Sequence, residues 1–106
     1  MSDFQLRKVI TKFRCSDHPL EIEKGRHKKL KVEERICKVC NIEVETEMHF
    51  LQRCPAYESI RHQFFGTESA HNWVDTLKCK NQKTAYNLAN CLVKAYKLRE
   101  NLLALQ

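Results

Sequence analysis

Cys37, Cys40, His49 and Cys54 stand in the middle of the chain with the spacing C-x2-C-x8-H-x4-C. Three thiolate sulfurs and one imidazole nitrogen are the donor set that Zn²⁺ takes in closed, tetrahedral structural sites. The neighbouring residues supply the turn chemistry such a site needs. Asn41, which tolerates left-handed backbone, follows the second cysteine, and Pro55 follows the last. His49 and Cys54 are five residues apart, a spacing that on an uninterrupted helix would point them roughly 140° apart. The helix carrying His49 must therefore end before Cys54. Pro55 disfavours helical backbone at Cys54 and suits the first turn of a new helix, which puts Cys54 at a helix start where the dipole favours a thiolate.

The remaining ionisable residues do not assemble into a catalytic constellation. Cys15, Cys79 and Cys91 have no ligand-like spacing to one another, and Cys91 falls within an apolar helical stretch, so all three read as inert, buried free thiols rather than a second metal site or a nucleophile. His18, His27, His62 and His71 are scattered and read as surface or capping residues. The chain has no Gly-rich phosphate loop, no G-x-S-x-G and no H-E-x-x-H. Three cysteines and a histidine also fill a tetrahedron, leaving no open coordination position for a reacting group. We expect no enzymatic activity and no small-molecule substrate.

Charge points instead to an anionic partner. The chain has 106 residues, a formal net charge of +6 and an isoelectric point near 9.1. A basic surface of this kind raises encounter rates with phosphate polymers. The densest basic run is EKGRHKKLK, with Lys24, Arg26, Lys28, Lys29 and Lys31 just before the metal motif. It reads either as a strip that tracks a phosphate backbone or as a solvated loop. Arg53 and Arg61 are further candidates for nucleic-acid contacts, whether RNA or DNA. Arg35, Lys38 and Arg53 flank the ligands and read either as offsetting the negative charge of three thiolates or as plain solvated charges. Glu43, Glu45 and Glu47 crowd the spacer before His49 and would repel a nucleic acid at that edge. The alternative partner is another protein or a second copy of the chain, met through an apolar helix face of residues 82–105.

The elements that must position these groups read as mainly helical, in one domain over residues 1–106. Residues 1–36 carry an N-terminal helix and the basic segment, 37–54 the metal motif, and 55–106 a helical C-terminal part. Only two glycines and two prolines punctuate the sequence, too few for a turn-rich β architecture. At most a short β-hairpin is expected, at the turn around Cys37 and Cys40. Ser2 caps a helix over residues 3–14 with Phe4, Val9, Ile10 and Phe13 on its apolar flank. The stretch Leu20-Glu21-Ile22-Glu23 is too short to choose between strand and helix. Residues 45–53 form a short helix presenting His49, with Met48, Phe50 and Leu51 toward the core. Pro55 opens a helix that Gly66 stops. His71 to Leu77 reads as a short helix burying Trp73 and Leu77. Asn81 caps the last and longest helix, with Ala85, Leu88, Ala89, Leu92, Tyr96 and Leu103 on one stripe and the stem of Arg99 lying along it.

Taken together, these residues resemble a known family. Lys12-Phe13-Arg14, His18, Leu20, Ile22-Glu23, Gly25-Arg26, Glu34-Arg35, the Cys37-x2-Cys40 pair, Glu47-x-His49-Phe50-Leu51, Cys54-Pro55, Tyr57 and Arg61 are similar to the zinc-binding C-terminal region of non-LTR (LINE-type) retrotransposon reverse transcriptases. Val93-Lys94-Ala95-Tyr96-x2-Arg99 fits the helix that often follows. The resemblance spans residues 12–103 and implies that Cys37, Cys40, His49 and Cys54 bind zinc and that the region helps grip template RNA or target DNA. The eight-residue spacer before His49 departs from the four-residue spacer of retroviral nucleocapsid knuckles, so base stacking of that kind is not implied. The chain itself lacks the polymerase's metal-binding aspartates. No apolar run approaches the roughly 18–20 residues needed to cross a bilayer. The start MSDFQLRKVITKF is charged where a signal peptide would be apolar. An intracellular setting, nucleus or cytoplasm, is expected.

Overall fold

The fold comes from a computed structural model, which describes residues 2–66, 73–79 and 81–105. Helix α1 (Asp3–Arg14) begins with a reciprocal cap. The Ser2 hydroxyl accepts from the Gln5 amide at 3.2 Å, and the Gln5 side chain accepts from the Ser2 amide at 2.9 Å. Its buried stripe is Leu6, Ile10 and Phe13, spaced i, i+4, i+7. Phe4, expected on that flank, is 75% exposed. It lies two residues before Leu6, about 200° around the helix, and so faces water.

Leu20 to Glu23, left open between strand and helix, is helical. Helix α2 (Glu21–His27) follows the fully buried Leu20 and ends in a turn at Lys28 and Lys29, the latter with positive φ. Arg35 crosses this helix at Gly25, where an added Cβ would meet the Arg35 side chain at 2.3 Å. Glycine is needed there for room rather than for backbone freedom. Helical backbone then gives way to a 3-10 turn (Val32–Glu34) and the knuckle that carries Cys37 and Cys40. The only β pairing among the described residues is one antiparallel bridge, Ile36 with Val44. Hydrogen bonds from Cys37 N to Glu43 O and from Glu45 N to Arg35 O, both 2.9 Å, close the loop on either side.

The chain re-enters helix at Glu47 and widens into a π turn (His49–Arg53). Cys54 breaks it with extended backbone. Pro55 opens a 3-10 turn (Pro55–Tyr57) that runs into α3 (Glu58–Phe65), stopped at Gly66 with φ 77°. Helix α4 (Trp73–Lys78) buries Trp73 and half-buries Leu77. His71 and Asn72, read as its first turn, lie outside the described residues. Helix α5 (Gln82–Ala104) is capped by Asn81, whose side chain accepts from the Thr84 amide at 2.8 Å.

Helices α1, α3 and α4 pack against α5, which buries Leu88, Ala89, Leu92, Ala95 and Arg99. The stripe expected along this helix is therefore used inside the fold, and the apolar face that a protein-interaction reading of residues 82–105 requires is largely covered. Phe50, the residue after His49, sits at the centre of the aromatic packing. Its ring lies 4.8 Å from Tyr57 edge-on, 5.1 Å from Tyr96 in a stack, and 6.4 Å from Phe13. The metal motif and the helical core thus share consecutive residues. Helical architecture around one Cys3His group is what the fold shows.

Candidate metal centre

Each of the four donors is placed by a separate local device. Cys37 opens the knuckle, whose amides at Val39 and Cys40 donate to its sulfur. Asn41 has φ 58° and returns a 2.8 Å hydrogen bond to the Cys37 carbonyl, the left-handed turn residue expected there. His49 is fixed by Thr46, whose hydroxyl accepts from the His49 amide at 3.0 Å. The π turn answers the five-residue spacing. Cys54 N donates to His49 O at 2.7 Å, and the widened turn brings residues five apart nearer to one side than an α-helix would. Cys54 itself is extended (φ −62°, ψ 122°) directly before Pro55, as the proline demands.

The result is a cluster in which one donor atom from each residue lies within 4.8 Å of every other. Cys40 Sγ and His49 Nε2 are 3.4 Å apart. A tetrahedral zinc with about 2.3 Å to sulfur and 2.0–2.1 Å to nitrogen sets that separation at about 3.6 Å. Cys37, His49 and Cys54 are buried and Cys40 is half-buried. The four residues fit a metal ion by donor type, spacing and burial.

Electrostatics at the cluster follow from that crowding. The contact between the Cys37 and Cys54 sulfurs holds Cys54 below the ordinary thiol range and, with burial, pushes Cys37 well above it. The Ala56 amide at the start of the following turn also favours the Cys54 thiolate. A cation that binds here would displace the thiol protons of its cysteine ligands. On the imidazole's far side, His49 Nδ1 is 2.5 Å from Glu43 Oε1, and Arg53 Nε holds the same oxygen at 3.4 Å. A carboxylate at Nδ1 fixes the proton there and leaves the Nε2 lone pair aimed at the sulfurs.

The acidic spacer is therefore not a repelling edge. Glu43 orients His49. Glu45 is fully buried, with its carboxylate taken bidentately by Arg99 at 2.8 and 3.0 Å and by the Glu21 amide at 2.7 Å. Glu47 accepts from His18 at 2.6 Å and from Ser16. The alternation of these three glutamates turns Glu45 inward and gives each a partner in the protein.

The cations expected to offset thiolate charge have other partners. Arg35 donates to the carbonyls of Ile22 and Leu30, Lys38 pairs with Glu21 at 3.2 Å, and Arg53 pairs with Glu43. Arg61, expected to contact nucleic acid, is buried and donates to the carbonyls of Leu51 at 2.7 Å, Cys54 at 2.5 Å and Phe50 at 3.3 Å. It closes the end of the π turn and is withdrawn from any phosphate. Lys24, Arg26, Lys28, Lys29, Lys31 and Arg53 are all exposed. Arg26 has only a long 3.9 Å pair with Glu23.

Of the other cysteines, Cys15 is exposed, Cys79 half-buried and Cys91 buried, all free. No helix among the described residues is long and apolar enough to cross a membrane. Comparison of the chain with family models, with curated proteins and with solved structures finds no match.

Proposed function

We propose that this chain is a nucleic-acid-binding module whose fold is closed by Zn²⁺ at Cys37, Cys40, His49 and Cys54, related to the C-terminal zinc region of non-LTR retrotransposon reverse transcriptases. In this reading it binds RNA or DNA through its phosphate backbone and is not a catalyst. The observation that carries it is the state of the basic run. Lys24 and Arg26 on α2, Lys28 and Lys29 in the turn after it, and Lys31 beyond are exposed, and among the described residues only Arg26 has a side-chain ion pair, the long one with Glu23. A run of exposed cations of this density is a surface that attracts a polyanion.

Attachment of α2 to the metal knuckle supports the same reading. The Ile22 amide donates to the Glu45 carbonyl at 3.1 Å, the Glu21 amide to the Glu45 carboxylate, and Arg35 and Lys38 reach back from the knuckle to α2. The ion would then hold the cationic strip in place while touching no nucleic acid itself. Fluorescence anisotropy with labelled oligonucleotides over a range of salt tests this. Lys28→Ala with Lys29→Ala is expected to weaken RNA and DNA of every sequence alike. The slope of log K against log salt should flatten by roughly 0.7–0.9 for each phosphate contact removed. Unchanged affinity and slope would remove the strip from the interface.

A further inference from the structure

On the side of α5 packed by α1 lies a cleft of about 480 Å³ that the metal centre does not explain. Its apolar floor is formed by Leu6, Ile10 and Ala85. Arg7 and Arg14 line it from α1, both exposed and neither in an ion pair among the described residues. Tyr86 lines it from α5 with 53% of its surface open to water. Arg7 and Arg14 are seven residues apart, so they lie about 10.5 Å apart along one side of the helix. A cleft of this size is in the range that holds small ligands, roughly 300–1,000 Å³.

We infer that this cleft is a second nucleic-acid contact, one that takes an unpaired nucleotide of a single strand. The inference rests on the nucleic-acid reading above but uses different residues. Arg7 and Arg14 supply two phosphate-binding forks that no carboxylate pairs with among the described residues. The apolar floor and the exposed Tyr86 ring supply a face on which a base can lie, an arrangement that tolerates any sequence because every base has a π-face. A paired base presents no such face, so the cleft discriminates single strand from duplex, which the lysine-rich strip does not. An anionic amphiphile matches the charge less well in shape: the cleft is open along its rim and carries its aromatic group at the surface, where an acyl chain would stay wet.

Binding of an oligothymidylate and of a matched duplex to the zinc-loaded chain, compared among variants, tests the inference. Tyr86→Ala, and separately Arg7→Ala with Arg14→Ala, are expected to weaken the single strand about tenfold while leaving duplex affinity and the melting temperature unchanged. Photo-crosslinking of a bromodeoxyuridine-substituted oligonucleotide should place the adduct on Tyr86. Should both cleft variants bind the single strand like the wild type while Lys28→Ala with Lys29→Ala binds it weakly, the cleft is excluded and the strip stands. The converse pattern excludes the strip and keeps the cleft. Absence of any oligonucleotide binding by the wild type overturns both readings.

Discussion

Glu43 illustrates how a single exposed carboxylate can matter at a metal centre. It sets the tautomer and angle of His49 without being a ligand, and such partners typically change metal affinity by about 10–100-fold when removed. Glu43→Ala is therefore expected to lower zinc affinity by that factor in competition with a chromophoric chelator, while the metal-loaded protein keeps its helical circular dichroism. Equal affinity would show that the contact with His49 is incidental. Cys91 gives a test of burial that is independent of the metal. Its surroundings push the thiol from an ordinary 9.0 up to about 11 because a thiolate in that position would be stripped of water. The folded chain keeps this proton while the unfolded chain loses it as the pH passes 9.0. The proton number is then higher in the folded state, so stability falls as pH rises from about 9 toward 11. Urea unfolding should show that decline in the wild type and a shallower one in Cys91→Ala.

Among elements, the contact that governs the fold is between the knuckle and α5, through Glu45 and Arg99, which are 54 residues apart in sequence. Removing one member of a buried pair leaves the other charge without compensation, at about 3–5 kcal/mol. Arg99→Ala is expected to destabilise the chain by that amount in chemical denaturation; a change below about 1 kcal/mol, the level of surface pairs, would contradict the pairing. Local signals for the elements themselves were legible. Ser2 and Asn81 as caps, Pro55 as a helix opener, Gly66 as a stop and Asn41 as a left-handed turn residue each depend on neighbours within four positions. The four ligands were legible for the same reason, since their spacing is a local constraint. Glu45, Arg61 and Arg99 were not, because their partners come from distant segments or from carbonyls whose orientation only the fold defines. One sign was available: Arg99 continues the stripe of Leu88, Leu92 and Ala95, and a cation at an apolar position implies a buried anion. Phe4 differs from the expected flank because Leu6, Ile10 and Phe13 set the buried stripe at i, i+4, i+7, and Phe4 falls off it.

At the scale of the whole molecule, one small site joins the knuckle to segments that also build the core, Phe50, Leu51 and Tyr57 among them. The knuckle contributes no sheet beyond a single bridge, and the basic helix α2 reaches the body largely through Glu45, Arg35 and Lys38. Four donors brought together by an ion would fix the knuckle, the π turn and the start of α3 at once, and Phe50 and Arg99 would carry that order into the core. Binding of metal and folding would then be one equilibrium, and in the proposed reading the cationic strip would be displayed only with the ion bound. Native mass spectrometry of the purified chain and of Cys54→Ser puts this to the most direct test. One zinc ion per folded chain is expected, lost in the variant together with the compact charge-state distribution. A wild-type chain that is compact and free of metal, with Cys37, Cys40 and Cys54 all open to alkylation, would contradict it.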